Sequence, residues 1–578
     1  MIPSNPAARE PTVPHPASAV PYRTVPASSR LPQGQLLWWG VACALALLWF
    51  GTLELRGLFA PDEGRYAQIP QAMVATGDWV TPRLNGFKYF EKPPLQYWAT
   101  AVIYKLFGED EWTARLWPAL IGFLGAMVVA WIGTITAGRR VGGLAGFMLA
   151  TSLGYFVAGQ YLTLDMGLTF FLTCALAFFI MAQRAELANR AHTRWMLLAW
   201  GALACAVLSK GLIGIVLPGL ALGVYMALTR DLGLLRRLAV APGIGVLLGV
   251  SAPWFLLVQD RNPEFFHFFF IHEHFERFAL PGHERLGPWW YFIPVMLAGT
   301  LPWTPLVVRA ILRAVRERGS MDRGGLDIDL LLVVWAATVF LFFSLSSSKL
   351  PAYVLPALPP LVLLAARRIG ERDAKTLIRD TLLGGALAAA TAAGGACLLL
   401  ARTDSFYLLA PAVPWFLLAL LALLAGGAGA ALLARTQRAT SAWLALGLAM
   451  PVAVQAALVG AHAIDELHST ERVIESLFGE ERPRTDTTPF YSVGTFDHSL
   501  PFYIGRPVVM VGYRSELGTG IAAEPDKFID TVEAFSALWL ARSDGYAAMT
   551  PRRFDELERS GLPMRVLARD TRRVIVTR

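Results

Sequence analysis

APDEGRYAQIPQAMVATGDWVTPRLNGFKYFEKPPLQYW, residues 60–98, directly follows an apolar run that is long enough to cross a membrane. The stretch places acids and bases among aromatic side chains, with the dipeptide Pro93-Pro94 near its end. Charges at this density are costly inside hydrocarbon, so the segment must lie at the water interface or in a polar cavity. The chain is therefore predicted to be a membrane protein that handles a charged substrate at one surface.

The composition and the hydropathy pattern indicate an α-helical, polytopic membrane protein. Of the 578 residues, 55% are hydrophobic and 16% are charged, whereas soluble domains average about 25% charged residues. About thirteen apolar segments predict spans, and a shorter one, 94–107, predicts an interfacial or re-entrant helix. The approximate span cores are 36–55, 116–137, 141–158, 166–183, 196–209, 211–228, 238–258, 289–308, 328–346, 350–366, 381–401, 414–434 and 442–462.

The loop charges predict the orientation of these spans. With the N-terminus in the cytoplasm, almost every short Arg cluster falls in a cytoplasmic loop, as the positive-inside rule requires. This placement accounts for the net charge of +8 without a nucleic-acid partner. An odd number of spans then puts the C-terminus on the outer face.

Three regions are predicted along the chain. Residues 1–35 are Pro-rich and polar, which indicates a disordered cytoplasmic tail. Residues 36–463 form the transmembrane domain, with long outer loops at 56–115 and 259–288, and 464–578 have the composition of a soluble α/β domain. Strands are predicted in PFYSVGTF, RPVVMVGYR, SALWLARS and MRVLARDTRRVIVTR, and helices in EPDKFIDTVEAF and PRRFDELERSG.

Two common kinds of site receive no support from the sequence. The four cysteines all lie in apolar runs, which favours core packing over disulfides or a thiolate zinc site. The glycine-rich patches follow no strand and match neither a P-loop nor a Rossmann fingerprint. An activated nucleotide donor is therefore unsupported, which fits a donor drawn from the membrane.

Two acidic positions are the candidate catalytic groups. Asp62 follows the first span and can act as a base, bind a cation, or hold a substrate amine or hydroxyl. Asp165 stands at the outer end of a span, where it could cap a helix or face Asp62 across a polar floor. The alternative for Asp62 and its neighbour Glu63 is a pair of solvated loop acids.

Several cations fall on the same predicted face and suggest a pocket for a lipid phosphate. Lys210 and Lys349 could instead extend their ammonium groups to the lipid headgroups. The aromatic side chains beside them could stack on a sugar or form an interfacial belt. The cations are Lys92, Lys210, Arg277 and Lys349, and the nearby aromatics include Tyr89 and Tyr353.

A divalent metal site, for an ion such as Zn²⁺ or Mg²⁺, is a further candidate. His272 and His274 could ligate the ion together with Glu91 from the first outer loop. The ligand set is open, and most histidines in such a pattern form interfacial hydrogen bonds instead. No cofactor is required by the sequence.

The loop 60–98, together with YFEKPPLQYW, FIHEHFERF and SSSKLPAYVLP, resembles the GT-C glycosyltransferases of the protein mannosyltransferase superfamily. Within that superfamily, these three segments are similar in sequence to the bacterial lipid A aminoarabinose transferases. The resemblance implies a monomeric, multi-pass protein of the bacterial inner membrane, surrounded by membrane lipids, with a periplasmic C-terminal domain. It also implies transfer of 4-amino-4-deoxy-L-arabinose from undecaprenyl phosphate to a lipid A phosphate, which confers resistance to polymyxin and other cationic peptides.

The resemblance also implies roles for particular residues. Asp62 and Asp165 match the family's critical acids, and Lys92, Arg277 and Lys349 match cations around the carrier phosphate. We expect Arg65, Lys210 and Tyr353 to join that donor site, and Glu63 and Tyr89 to bind substrate. A phosphate acceptor is already an anion, so Asp62 would orient the sugar; a hydroxyl acceptor would require Asp62 as a base.

Two other functions are compatible with parts of the pattern. A relative could move another sugar from a polyprenyl phosphate to protein or glycan. A transporter or flippase would show internal repeats and polar groups at the bilayer midplane. The charges of this chain cluster at one face instead, and no such repeat is evident.

Overall fold

The computed structural model describes residues 33–185, 189–276, 287–317, 325–369, 374–402, 406–436, 439–479 and 487–578. Most of the predicted cytoplasmic tail lies outside these ranges, and the first helix begins at Gln33. The helices from there to the start of the C-terminal domain are apolar, and packing against one another buries a continuous core. Outside the first outer loop, they are Gln33–Phe50, Glu111–Ala137, Arg139–Ala150, Leu153–Gly159, Asp165–Arg184, Arg190–Lys210, Ile213–Thr229, Leu234–Arg237, Val240–Arg261, His267–Glu276, Phe292–Gly299, Thr304–Arg316, Ile328–Leu345, Pro351–Ala357, Leu358–Ile369, Ala374–Arg402, Phe406–Leu409, Ala410–Ala412, Val413–Arg435 and Ala439–His462.

Multiple membrane-spanning helices are confirmed. Within the described ranges, eight helices are long and apolar enough to cross a membrane, and two pairs bent by 65° and 113° raise that number to ten. Each of the predicted span cores coincides with a helix or a bent pair. Some of those helices, such as Ile213–Thr229, are shorter than a full span. The count of thirteen therefore stays a prediction.

The first outer loop is a folded unit. It contains helix Asp62–Thr76, strands β1 (Arg83–Leu84) and β2 (Phe87–Lys88), and helix Leu95–Phe107. The strands pair across a two-residue turn in which Asn85 and Gly86 have φ of 51° and 80°. Asn-Gly is the sequence that tolerates positive φ at both turn positions. Helix Leu95–Phe107 buries one side and exposes apolar residues on the other, as an interfacial helix would.

The C-terminal domain contains a six-stranded mixed sheet. Its strands are β3 (Phe490–Val493), β4 (Val509–Val511), β5 (Phe528–Ile529), β6 (Tyr546–Met549), β7 (Arg565–Arg569) and β8 (Val574–Thr577). They lie in the order β5-β4-β3-β6-β8-β7. Strands β5, β4, β3 and β6 pair in parallel, and β8 runs antiparallel to both of its neighbours, β6 and β7. The central strand β3 is buried along its whole length, as expected where a strand is covered on both faces. The helices of this region are Asp465–Leu467, Glu471–Phe478, Leu500–Ile504, Ser515–Leu517, Gly518–Ala523, Pro525–Lys527, Val532–Ala541 and Pro551–Arg559.

Two predictions within this domain were wrong in part. SALWLARS is not a strand, because its first six residues belong to helix Val532–Ala541. Phe535 and Trp539, four residues apart, place their rings on one buried face, and Thr531 caps the helix by accepting from Ala534 N at 3.1 Å. EPDKFIDTVEAF is helical only at its ends and contains β5. A short apolar run is compatible with the period of a strand or of a helix, and here the capping residue Thr531 favours the helix.

The C-terminal domain packs on the first outer loop. A shared core cluster contains Tyr66 and Tyr97 from the loop and Phe502 and Ile521 from the domain. Asn85 of the loop forms two hydrogen bonds with Val508 of the domain: its side chain donates to Val508 O at 2.9 Å and accepts from Val508 N at 2.7 Å. A Cβ on Gly64 would lie 2.5 Å from the backbone of the 498–499 peptide, so this approach requires glycine. The two units therefore form one surface around the candidate site.

Candidate functional site

Asp62 begins helix Asp62–Thr76, directly after Pro61. A carboxylate at this position is stabilised by the positive end of the helix dipole. Its Oδ1 lies 3.2 Å from Arg65 Nη1, and 28% of the side chain is exposed. Asp62 is thus a partly solvent-accessible acid at the start of a helix, which suits contact with a substrate.

Glu63 has a different environment and does not reach the surface. Its side chain is fully buried and forms ion pairs with both Arg56 and Arg115. The backbone N–H groups of Phe59 and Leu162 also donate to it, at 3.1 and 3.0 Å. Burial raises the pKa of Glu63, but Arg115 and Arg56 outweigh it and hold that pKa well below its usual range. The expectation that Glu63 binds substrate is corrected by this geometry, because its carboxylate is enclosed by protein donors.

Arg65 is held by the C-terminal domain. Its Nε and Nη2 donate to the two carboxylate oxygens of Glu516 at 2.9 and 2.6 Å. His498 Nε2 lies 2.8 Å from the same carboxylate. Burial raises the pKa of Glu516, whereas His498 and Arg65 lower it, and the net pKa is below the usual value. Sequence reasoning missed Glu516, since nothing local marks it as the partner of a loop arginine.

Asp165 and Lys210 form an ion pair. Asp165 is the first residue of helix Asp165–Arg184, and the preceding residue, Leu164, occupies the cap position. The carboxylate therefore pairs with Lys210 rather than capping its own helix. Lys210 Nζ also lies 4.7 Å from the ring centroid of Tyr353. The structure thus brings together three of the predicted site residues.

Lys349 has no donor left for a phosphate in this structure. Its ammonium group donates to the carbonyl oxygens of Phe343, Ser344 and Ser346 at 2.9, 2.7 and 2.6 Å. These carbonyls are at the end of helix Ile328–Leu345, where backbone acceptors lack partners within the helix. The geometry corrects the expected phosphate contact and gives Lys349 the role of a helix C-cap.

Lysines of the first outer loop reach acids of the second. Lys92 Nζ donates to Glu273 Oε2 at 2.9 Å and to the Glu91 carbonyl at 2.8 Å. Lys88 Nζ donates to Glu264 Oε1 at 2.8 Å. Glu273 belongs to a π-helical segment, His267–Glu276, a geometry that occurs often at functional sites. Lys92 is therefore oriented toward the region between the two loops.

Tyr89 lines a small cavity where both outer loops meet the C-terminal domain. Its side chain is buried, and its hydroxyl has no hydrogen-bond partner among the described residues. A buried hydroxyl without a partner is costly and indicates that a water or a ligand completes it. The other residues lining the cavity are Lys88, Phe90, Glu91, Glu264, Phe268, Glu516, Thr519, Gly520 and Ala523.

The predicted metal site at Glu91, His272 and His274 stays a prediction. The side chain of His274 and the whole of Arg277 lie outside the described residues. His272 is exposed, and its ring lies 5.3 Å from that of Phe268. In the described part of the chain, a different set of residues, His462, Asp465 and Glu471, forms a cluster of potential ligands.

Comparisons with known proteins identify the family. A family model described as dolichyl-phosphate-mannose-protein mannosyltransferase matches residues 35–269. A second, described as aminoarabinose transferase C-terminal domain, matches residues 481–578. The crystal structure of ArnT from Cupriavidus metallidurans bound to undecaprenyl phosphate is 37% identical with a TM-score of 0.86. That match covers 94% of this chain and 98% of the ArnT chain.

Sequence relatives carry the same family name. An undecaprenyl phosphate-alpha-4-amino-4-deoxy-L-arabinose arabinosyl transferase of Pectobacterium carotovorum is 37% identical over 344 residues. The one from Aeromonas salmonicida is 34% identical over 332 residues. The alignments cover 58% and 57% of this chain and 59% of each relative, so the chain spans less than two thirds of their length.

The fold and the matches together define a polytopic membrane glycosyltransferase of the GT-C type. Within that class, the chain belongs to the aminoarabinose transferase family.

Proposed function

We propose that this protein transfers 4-amino-4-deoxy-L-arabinose from undecaprenyl phosphate to a phosphate of lipid A. The observation that carries the proposal is the match over 98% of the length of ArnT, a protein whose structure contains undecaprenyl phosphate. The modification would reduce the negative charge of the outer surface and so confer resistance to cationic peptides such as polymyxin.

The chemistry requires that negative charge on the leaving group be offset. An oxygen of the acceptor phosphate attacks the anomeric carbon, the bond from that carbon to the carrier phosphate breaks, and undecaprenyl phosphate leaves with its electron pair. Nearby cations stabilise that charge as it develops. Lys92 and Lys210 are suited to the task because each is already held against a carboxylate that a phosphate oxygen could replace.

Asp62 is suited to the sugar rather than to proton abstraction. A phosphate acceptor needs no deprotonation at neutral pH, whereas the sugar carries an amine and the transition state develops positive charge at the anomeric carbon. The partly exposed carboxylate of Asp62 can contact either. Arg65, fixed by Glu516, holds Asp62 in position.

The protein would act at the outer face of the bacterial inner membrane. The N-terminus would then be cytoplasmic and the C-terminal domain periplasmic. The Arg-rich loops support this orientation. The protein would act as a monomer, since one chain supplies all the residues assigned to the site.

Mass spectrometry of lipid A tests the proposal. A bacterial host that lacks its own transferase but makes the donor would express the wild type, Asp62→Asn, or the control Glu54→Gln, whose side chain is exposed just before the first outer loop. We expect the mass increment of one aminopentose on lipid A phosphate with the wild type and the control, and none with Asp62→Asn. Unmodified lipid A with a well-expressed wild type would overturn the proposal.

The mannosyltransferase family match favours a second function, transfer to a protein hydroxyl. Asp62 would then have to act as the base. The same cells would show unmodified lipid A and a glycosylated protein that disappears with Asp62→Asn.

A further inference from the structure

Three side chains with metal-binding groups converge where the last apolar helix meets the C-terminal domain. His462 ends helix Ala439–His462, Asp465 opens the following turn, and Glu471 begins helix Glu471–Phe478. One ligand atom from each lies within 4.8 Å of the others. His462 Nδ1 is 2.9 Å from Asp465 Oδ2.

The first outer loop closes this cluster from the other side. Gly57 N donates to Asp465 Oδ2 at 2.9 Å. A Cβ added at Gly57 would collide with Glu471 Oε2, so the loop backbone lies directly against this carboxylate. The site is therefore assembled from three parts of the fold: the last helix, the connection to the C-terminal domain, and the first outer loop.

The cluster has more negative charge than its protein partners balance. Asp465 is only 1% exposed, and among the described residues no N–H or O–H group of another residue donates to its buried Oδ1 or to the buried Oε2 of Glu471. Within the described ranges, neither carboxylate forms an ion pair with a lysine or an arginine. Uncompensated buried carboxylates are strongly unfavourable. A cation or a shared proton must therefore balance them.

We propose that His462, Asp465 and Glu471 bind a divalent transition-metal ion of the Zn²⁺ class. One imidazole nitrogen and two carboxylate oxygens form a donor set that suits such an ion, with metal–ligand distances of about 2.0–2.2 Å. The ion takes one ligand atom from each of the three side chains, which lie within 4.8 Å of one another, while Gly57 N keeps its hydrogen bond to Asp465 Oδ2. The His462 side chain is 40% exposed, so water reaches the ion and completes its coordination.

The ion has a structural role and is separate from the candidate site at Glu91, His272 and His274. It joins the last apolar helix to the start of the C-terminal domain, and Asp465 also accepts a hydrogen bond from Gly57 N in the loop that carries Asp62. Arg115 Nη2 donates to the Gly57 carbonyl at 2.8 Å, and Arg115 also pairs with Glu63. The metal cluster is thus one contact away from the ion pairs that anchor helix Asp62–Thr76.

The alternative is a proton shared by the two carboxylates. Burial, followed by the charges of Glu111 and Asp465, raises the pKa of Glu471 to about 9 when no metal ion is bound. A protonated Glu471 would bind no metal and would be replaced by glutamine with little loss. The two explanations therefore predict opposite results for the same variants.

Elemental analysis of the purified full-length protein in detergent decides between them. After dialysis against micromolar Zn²⁺, we expect His462→Gln to bind about one equivalent less than the wild type, because glutamine is a poor zinc ligand. The partly exposed position of His462 makes this variant safer for folding than changes at Asp465. Glu466→Gln, the adjacent exposed acid, is the matched control and should retain the metal.

A second arm measures thermal unfolding with a chelator and after adding Zn²⁺ back. The wild type and Glu466→Gln should lose stability with the chelator and recover it with Zn²⁺, whereas His462→Gln and Glu471→Gln should not respond. Equal zinc content in the wild type and His462→Gln would overturn the proposal. Loss of zinc in His272→Gln but not in His462→Gln would assign the ion to the other site and overturn it as well.

Discussion

Replacing Glu516 by glutamine tests whether the C-terminal domain positions Asp62, the candidate catalytic acid. The change keeps the size of the side chain but removes the negative charge that holds Arg65 through two hydrogen bonds of 2.9 and 2.6 Å. Arg65 would then turn toward its other carboxylate partner, Asp62, now 3.2 Å away. A stronger Arg65–Asp62 pair would withdraw Asp62 from the sugar.

The expected magnitude follows from the burial of the pair. Side-chain exposure is 6% for Arg65 and 20% for Glu516, so the ion pair is largely buried but still reached by water. Hydrogen bonds to charged groups contribute about 1.5–3 kcal/mol each, and breaking a fully buried pair costs about 3–5 kcal/mol. Partial exposure and the remaining neutral hydrogen bond reduce this to about 1.5–2.5 kcal/mol. If that energy positions Asp62, kcat falls by roughly 10- to 70-fold.

The assay is the initial rate of aminoarabinose transfer to lipid A by the purified enzyme in lipid nanodiscs. Glu524→Gln is the matched control, because Glu524 pairs with Arg83 across the same interface, away from Asp62. We expect Glu516→Gln to lower kcat with little change in the KM for acceptor, and Glu524→Gln to leave kcat within about twofold of the wild type. Equal rates for the two variants would refute the reasoning, since the interface would then act only through stability.

Three further predictions concern charges whose surroundings the structure defines. Glu63→Gln should prevent stable folding, because it leaves two buried arginines without the carboxylate that balances their charge, at a cost of about 3–5 kcal/mol. Size-exclusion chromatography of detergent extracts should then show aggregated protein, and a monodisperse variant would contradict this role. The lowered pKa of Glu516 predicts stability that is fully present above its ordinary pKa of 4.5 and is lost as the pH falls through the lower folded pKa. The difference in unfolding temperature between the wild type and Glu516→Gln should therefore shrink below about pH 4.5, and a difference that grew on acidification would reverse the assignment. Because Lys349 caps a helix, Lys349→Gln should reduce the free energy of unfolding by about 1–3 kcal/mol. It should change the KM for the donor less than Lys92→Gln does. If both variants raised the donor KM equally, Lys349 would be assigned to the phosphate site after all.

Much of the candidate site could be anticipated because its residues are clustered in sequence. The loop 60–98 contains Asp62, Arg65, Tyr89 and Lys92, and the structure places all of them on or beside the surface shared by the outer loops and the C-terminal domain. The pairing of Asp165 with Lys210 was not predicted. The sequence did predict that both residues lie on the same face of the membrane, because each stands at the end of an apolar run and the length of such a run determines which face its end reaches.

Other assignments could not be made from neighbouring residues. Glu63 is adjacent to Asp62, and both are acids at the start of the same helix, but only Glu63 is enclosed by Arg56 and Arg115. Lys349 looked like a phosphate ligand, whereas three backbone carbonyls bind its ammonium group. A charged residue can pair with any of many others along the chain, and only the packed structure selects one.

Hydropathy along the chain was enough to predict a membrane protein with many spans, because the transfer of apolar side chains into lipid depends on local composition and length. The sequence also predicted that the loop 60–98 holds the candidate site, since dense charge is costly in hydrocarbon. Only the tertiary structure decided that Arg65 pairs with Glu516, a residue 451 positions away. It likewise decided that His462, Asp465 and Glu471 meet beneath Gly57. Ion pairing and metal binding act over a few ångströms, and distances of that size between remote residues exist only once the chain has folded.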